Sequence, residues 1–333
     1  MLRLPALVCA AAACCAADPQ DLLTRIREHL REYVTQLPDY TCRVTIERSA
    51  RPSARAKFEL RDRVRLEVEF SGGDELYAWP GSERFERSIA ELLPAHGLVS
   101  DGSYALHMRT LFLRNAATFD LPRQAKGKIA LGFQVPAVRS GYAMTTPEGT
   151  VPAALSGTVW IDPESLDVDK LEVQVDTRLG HSMETTTYAR ERIGDAEFVV
   201  PQSTDLLMLP DDGAQARNYS RFTDYHKFAG SSSIRFDDAT PASKNNRPAH
   251  TATPPAGRDL TGKLESAIGE DAAIGDPFTV VADDGAKYSG RIAGMRRIGK
   301  DQWNIELTLA GRVVRKTVRL PLPAGMGMRF NAR

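Results

Sequence analysis

Cysteine is almost missing from the part of this chain that folds. Of four cysteines in 333 residues, Cys9, Cys14 and Cys15 fall within residues 1–17, so Cys42 stands alone in the remainder. One thiol excludes an internal disulfide framework, and its alternation with Val44 and Ile46 marks Cys42 as a small core residue. An excess of one charge is also missing, since 43 Lys and Arg balance 43 Asp and Glu. Nucleic-acid binders draw much of their affinity from phosphate neutralisation and carry a basic surplus, so the balance argues against nucleic acid as a partner, although a neutral total leaves room for a local basic patch. No apolar run is long enough for a transmembrane helix. The six histidines (His29, His96, His107, His181, His226 and His250) are scattered. None has a second donor at metal-binding spacing, so no metal site is expected. A Gly-x-Ser-x-Gly elbow, a Ser-x-x-Lys pair on a helix and a phosphate loop leading into a helix are all lacking. No catalytic residue is assigned, no cofactor is expected, and the chain reads as a non-enzyme.

What remains is a protein with a real core. Hydrophobic residues make up 42%, and the length exceeds what one core usually organises, which predicts two domains. Residues 1–17 read as a secretory signal peptide, with Arg3, an apolar stretch from Leu4 to Ala13, and small residues before Asp18-Pro19. Two processing routes stay open. Cleavage can follow Ala17, or Ala11-Ala12-Ala13-Cys14 can act as a lipobox that leaves a lipidated Cys14. Membrane association is expected only in the second case. The expected location is exported, either periplasmic or at the outer membrane.

Asp18-Pro19 is a helix-start signature. Leu22, Leu23, Ile26, Leu30, Val34 and Leu37 then recur at helical spacing until Pro38. Next, Cys42, Val44 and Ile46 alternate with Arg43, Thr45 and Glu47, and Val64, Leu66, Val68 and Phe70 alternate with Arg63, Arg65, Glu67 and Glu69. Period two with charge on one side predicts an antiparallel sheet with one dry face. A second helix is predicted over 103–113. Strands follow at 127–135, 138–145, 156–161, 168–176, 183–192, 196–200 and 217–228. Residues 237–258, rich in Pro, Asn, Ser and Ala, read as an extended linker. Beyond it, 260–268 reads as a short helix, and strands at 277–282, 287–298, 302–309 and 312–320 form a small β-module. Gly325-Met326-Gly327-Met328 reads as a flexible or bulged tail. Arg291, Arg296, Arg297, Arg312, Arg315, Lys316 and Arg319 make this module locally basic.

The element order, with Gly157-Thr158-Val159-Trp160-Ile161-Asp162-Pro163-Glu164 and the returning strand Leu171-Glu172-Val173-Gln174-Val175-Asp176, resembles the LolA, LolB and RseB family of periplasmic lipoprotein carriers and sensors over residues 18–236. That resemblance implies a half-open antiparallel barrel around an apolar cavity partly plugged by helices. The C-terminal module departs from it, because a plain shuttle has no need of one. The expected fold is therefore mainly β (α+β): an N-terminal helix, a curved antiparallel half-barrel with an inserted helix over 18–236, the 237–258 linker, and a small β-rich domain over 259–333.

A curved sheet with one dry face must bury that face under helices or under a ligand. The expected function is to bind lipid or lipoprotein acyl chains in the half-barrel, with Val44, Ile46, Val64, Leu66, Val68, Phe70 and Trp160 lining the cavity. The alternative is an envelope scaffold or sensor whose half-barrel is filled and whose C-terminal module docks a protein partner.

Overall fold

The structure is a computed structural model. It describes residues 18–82, 84–86, 88–93, 106–146, 149–210, 213–228 and 259–331. The leader with Cys14 and the 237–258 linker lie outside the described residues.

Helix α1 spans Pro19–Gln36, where the Asp18 carboxylate accepts from the Gln20 N–H (2.9 Å). It buries Leu23, Ile26, Leu30 and Val34, the stripe read from the sequence. Strands β1 (Tyr40–Arg51), β2 (Glu59–Ser71) and β3 (Asp74–Ala78) follow, then two short helices, α2 (Ile89–Leu92) and α3 (Leu106–Phe112). Next come β4 (Thr118–Phe119), β5 (Arg123–Ala125), β6 (Lys128–Val135), α4 (Ala137–Ser140) and the hairpin β7 (Ala143–Thr146) with β8 (Gly149–Pro152). Strands β9 (Ala154–Ile161), β10 (Val168–Thr177), β11 (Gly180–Ile193), β12 (Ala196–Leu209) and β13 (Gln215–Lys227) complete the first unit. The second holds β14 (Leu260–Leu264), β15 (Pro277–Ala282), β16 (Lys287–Arg297), β17 (Gln302–Leu309), β18 (Arg312–Arg319) and β19 (Gly327–Phe330).

An 11-stranded antiparallel sheet runs β3-β2-β1-β13-β12-β11-β10-β9-β6-β4, with β5 paired to β6. β13 returns to pair with β1, so the chain's first and last strands here lie side by side. Helices α1 and α3 pack against β6, β9 and β10, where Ile26, Leu30, Met108 and Phe112 meet Leu131, Val159 and Leu171 in one cluster. The expected fold class, a mainly β half-barrel with an N-terminal and an inserted helix, is what the chain adopts. The second unit is a six-stranded, nearly closed sheet in the order β18-β17-β16-β15-β14-β19.

The two units meet at β2. β3 pairs only with Glu67–Ser71, so the edge of β2 is open lower down. Ile274 fills that gap in parallel: its N–H donates to Arg63 O and its carbonyl accepts from Arg65 N–H, both at 2.8 Å. The Arg65 guanidinium grips the Asp276 carboxylate at 2.7 Å. Gly275 sits at φ +105°, where an added Cβ would lie 2.3 Å from Arg65 O and 2.7 Å from the Trp79 ring.

Three expectations fail locally. Residues 138–145 are not one strand: the chain makes the turn α4, stopped by Gly141 at φ +71° and tied by Ser140 Oγ donating to Ala153 O (2.6 Å). Residues 260–268 are not a helix, because Leu260, Gly262 and Leu264 alternate inward in β14. Gly262 there faces the Val281 carbonyl, and a Cβ would lie 2.5 Å from it. The Gly-Met tail is ordered as β19 against β14. Residues 103–105 of the expected second helix lie outside the described residues.

Candidate functional site

The concave face of the large sheet follows from register. Cys42, Val44 and Ile46 on β1 sit opposite Val68, Leu66 and Val64 on β2, and Val44 sits opposite Phe222 on β13. On the far side, Leu131 of β6 faces Val159 of β9, which faces Leu171 of β10. Val44, Ile46, Val64, Leu66, Val68 and Phe70 are all buried on this face.

Trp160 is the exception, and its expected place in the lining is corrected. It stands between Val159 and Ile161, both fully buried inside, so alternation turns its ring to the convex side. There its Nε1–H donates to Glu172 Oε2 (2.8 Å), and Lys170 lies 4.8 Å from the ring centroid. The register of β9 fixes the direction, and a single-residue offset moves a side chain through the sheet.

Between the two apolar flanks the concave face is polar. β11, β12 and β13 contribute Glu184, Thr186, Thr204, Asn218 and Ser220, all buried. The Thr186 and Thr204 hydroxyls are 2.9 Å apart, and Thr186 Oγ1 donates to Glu184 Oε1 at 3.4 Å. From α3, His107 brings its Nδ1 to 3.6 Å from Glu184 Oε1 and stacks on Tyr142 with ring centroids 4.9 Å apart. Glu75 on β3 is buried with its Oε2 accepting from the Tyr77 hydroxyl (2.9 Å). Burial pushes the Glu184 carboxyl up to about 8, the Thr186 hydroxyl opposes the rise, and the Glu75 charge adds to it. Burial also lifts the phenols of Tyr142 and Tyr188 well above their ordinary range, with Glu184 contributing. Uncharged at neutral pH, Glu184 can sit in a low-dielectric interior at modest cost.

Helices α1 and α3 close the β6, β9 and β10 flank, and the β1 and β2 flank shares its buried cluster with the C-terminal unit. A cavity of about 20 Å³ remains between α1, α3 and the sheet, bordered by Tyr33, Tyr40, Met108, Val168 and Tyr188. That takes about one water molecule, far below the several hundred Å³ of a ligand pocket. The Tyr33 hydroxyl donates to Val199 O and pins α1 to β12.

In the sequence His107 reads only as an ordinary histidine, and nothing there marks Glu184. On β11 both faces carry polar residues, so no period-two contrast marks Glu184 as inward. The described residues contain no group of three or more His, Cys, Asp or Glu able to hold a metal, and no described helix is long and apolar enough to cross a membrane. Of the histidines expected to be ordinary, His29 and His181 lie beside Asp167 and Asp176, and His96 and His250 fall outside the described residues.

The class defined is a helix-plugged antiparallel half-barrel joined to a barrel-like β-module. Among solved structures the chain is similar to a LolA superfamily protein from Nitrosomonas europaea, at 10% identity over 61% of this chain and 91% of that one, with a TM-score of 0.30. It is also similar to a DUF1329 family protein from Desulfovibrio piger, at 14% identity over 66% of this chain and 98% of that one, with a TM-score of 0.32. No protein-family model and no curated protein matches the chain.

Proposed function

We propose that the chain is a non-enzymatic protein of the bacterial envelope that binds lipid or lipoprotein acyl chains on the concave face of its half-barrel, with α1 and α3 as a displaceable plug. It is exported by residues 1–17, with lipidation at Cys14 as the alternative to cleavage after Ala17. The division at the 237–258 linker belongs to the same reading. The observation that carries it is the roof over the β6, β9 and β10 flank: its apolar side chains are covered by one amphipathic helix and one short helix, while β1 and β2 share their buried cluster with the C-terminal unit. Glu184 and His107 are buried side by side, 3.6 Å apart, which suits a structural pairing.

Energetics permit the exchange. Four aliphatic side chains of α1 are buried (Leu23, Ile26, Leu30 and Val34), worth roughly 6–12 kcal/mol together. A chain of about sixteen methylenes gains on the order of 13 kcal/mol when buried. The two are comparable, so an acyl chain can take the place of the plug. The test is native mass spectrometry of residues 18–333 purified from a bacterial envelope, with solvent extraction. Acyl species at near-stoichiometric occupancy support the proposal, and a single apo mass under conditions that retain a known carrier's cargo overturns it.

The closed interior itself favours a second reading, a filled scaffold whose C-terminal module docks an envelope protein. An apo result transfers the assignment there.

A further inference from the structure

We infer that one face of the C-terminal sheet docks on an anionic phospholipid bilayer, with Ile298 entering the interface and Arg296, Lys300 and Arg319 meeting lipid phosphates. Three observations of different kinds coincide on this face. A groove of about 400 Å³ crosses β16, β17 and β18, bordered by Arg296, Asn304, Glu306, Arg315 and Thr317. Register extends the same face to the end of the sheet: Arg296 lies opposite Asn304, Asn304 opposite Thr317, and Gln302 opposite Arg319.

The charge on this face is unevenly compensated. Arg315 is neutralised by Glu306 at 2.6 Å. Arg296, Lys300 and Arg319 are exposed and take part in no ion pair among the described residues. Besides Glu306, already paired with Arg315, the hairpin carries one further acid, Asp301, which leaves a local cationic surplus.

The third observation is apolar. Ile298, in the turn between β16 and β17, is 48% exposed, one of four large hydrophobics exposed among the described residues. The turn is built firmly around it. Arg297 donates from Nε to Gly299 O (3.1 Å) and from a terminal nitrogen to Lys300 O (2.5 Å), and its guanidinium lies 5.9 Å from the Trp303 ring. An isoleucine presented at a rigid tip beside unpaired cations suits an interface with an apolar layer beneath an anionic one. A soluble polyanion would use the cations and leave Ile298 in water. Arginine adds paired donors that match phosphate oxygens.

The test is co-sedimentation of residues 18–333 with phosphatidylglycerol-containing vesicles and with pure phosphatidylcholine vesicles. The wild type is compared with R296Q/K300Q/R319Q and with I298S, both confined to exposed positions and checked for an unchanged melting curve. Binding to the anionic vesicles alone is expected, weakened by salt. Each basic residue near such a surface contributes about fivefold, so the triple variant should lose affinity on the order of a hundredfold, and I298S a smaller part. Equal binding to both vesicle types, full binding by the triple variant, or capture by soluble polyphosphate with none by vesicles overturns the inference. Cargo extraction is a separate readout. A chain that carries lipid but ignores vesicles refutes the docking face alone, and one that docks without cargo refutes the carrier reading alone.

Discussion

Replacing Glu184 by glutamine isolates the cost of a buried carboxyl in the middle of the half-barrel. In the folded chain burial holds this carboxyl protonated up to about 8, against 4.5 for the free group. Below pH 4.5 both states carry the proton and Glu184 costs nothing electrostatically. Between 4.5 and about 8 the unfolded chain releases the proton first, so stability falls as pH rises, by about 1.4 kcal/mol per unit. Above 8 the penalty is constant. At pH 7 it amounts to about 3 kcal/mol. Glutamine has the same shape, keeps an acceptor for Thr186, and never ionises. E184Q should therefore be more stable than wild type by about 3 kcal/mol at pH 7 and equal to it near pH 4. Urea denaturation of both proteins across that range, followed by circular dichroism, gives the difference directly. The opposite sign refutes the reasoning. If E184Q is destabilised at pH 7, Glu184 is ionised against a protonated His107, and the substitution strands a buried cation.

Ile26→Ala removes a side chain with no exposed surface from the centre of the plug and should cost about 2–4 kcal/mol in urea denaturation. If α1 is displaceable, the same variant recovers more acyl cargo per chain than wild type. Gly275→Ala places a Cβ against Arg65 O and the Trp79 ring at a positive φ, so it should lower stability by about 2 kcal/mol or more and speed proteolysis between the two units. Cys42 is buried and its thiol is pushed well above the ordinary range by burial. It should resist alkylation in the native protein and react at once in denaturant, as intact mass will show.

Legibility in the sequence followed contrast between faces. β1, β2 and α1 carry charge on one side and aliphatics on the other, so their orientation could be read residue by residue. Trp160 reads inward only if the face of β9 is taken one residue out of step, because alternation with the buried Val159 and Ile161 sends it out. The polar belt was hidden for a different reason. Glu184, Thr186 and Thr204 sit in strands whose two faces are similarly polar, and only pairing with β10 and β13 fixes which face is inside. At 260–268 Gly262 is needed for close approach to Val281, a long-range requirement invisible to the local pattern that reads as a helix.

The join between the two units bears on both readings of function. The sequence suggests a module hung on a linker, yet Ile274 pairs with β2 like an added strand, and Arg65 and Asp276 lock it at 2.7 Å. Residues of β1 and β2 share one buried cluster with Phe278, Ile292 and Trp303. An exposed sheet edge invites pairing with other chains, and here the C-terminal unit covers the part of the β2 edge that β3 leaves bare. The module is thus a structural wall of the half-barrel as well as a surface of its own. Its contact is made on β2, whose inner side chains Val64 and Leu66 lie in the concave lining. The packed join, with one buried cluster running from β1 and β2 into the module, is not that of a freely tethered domain.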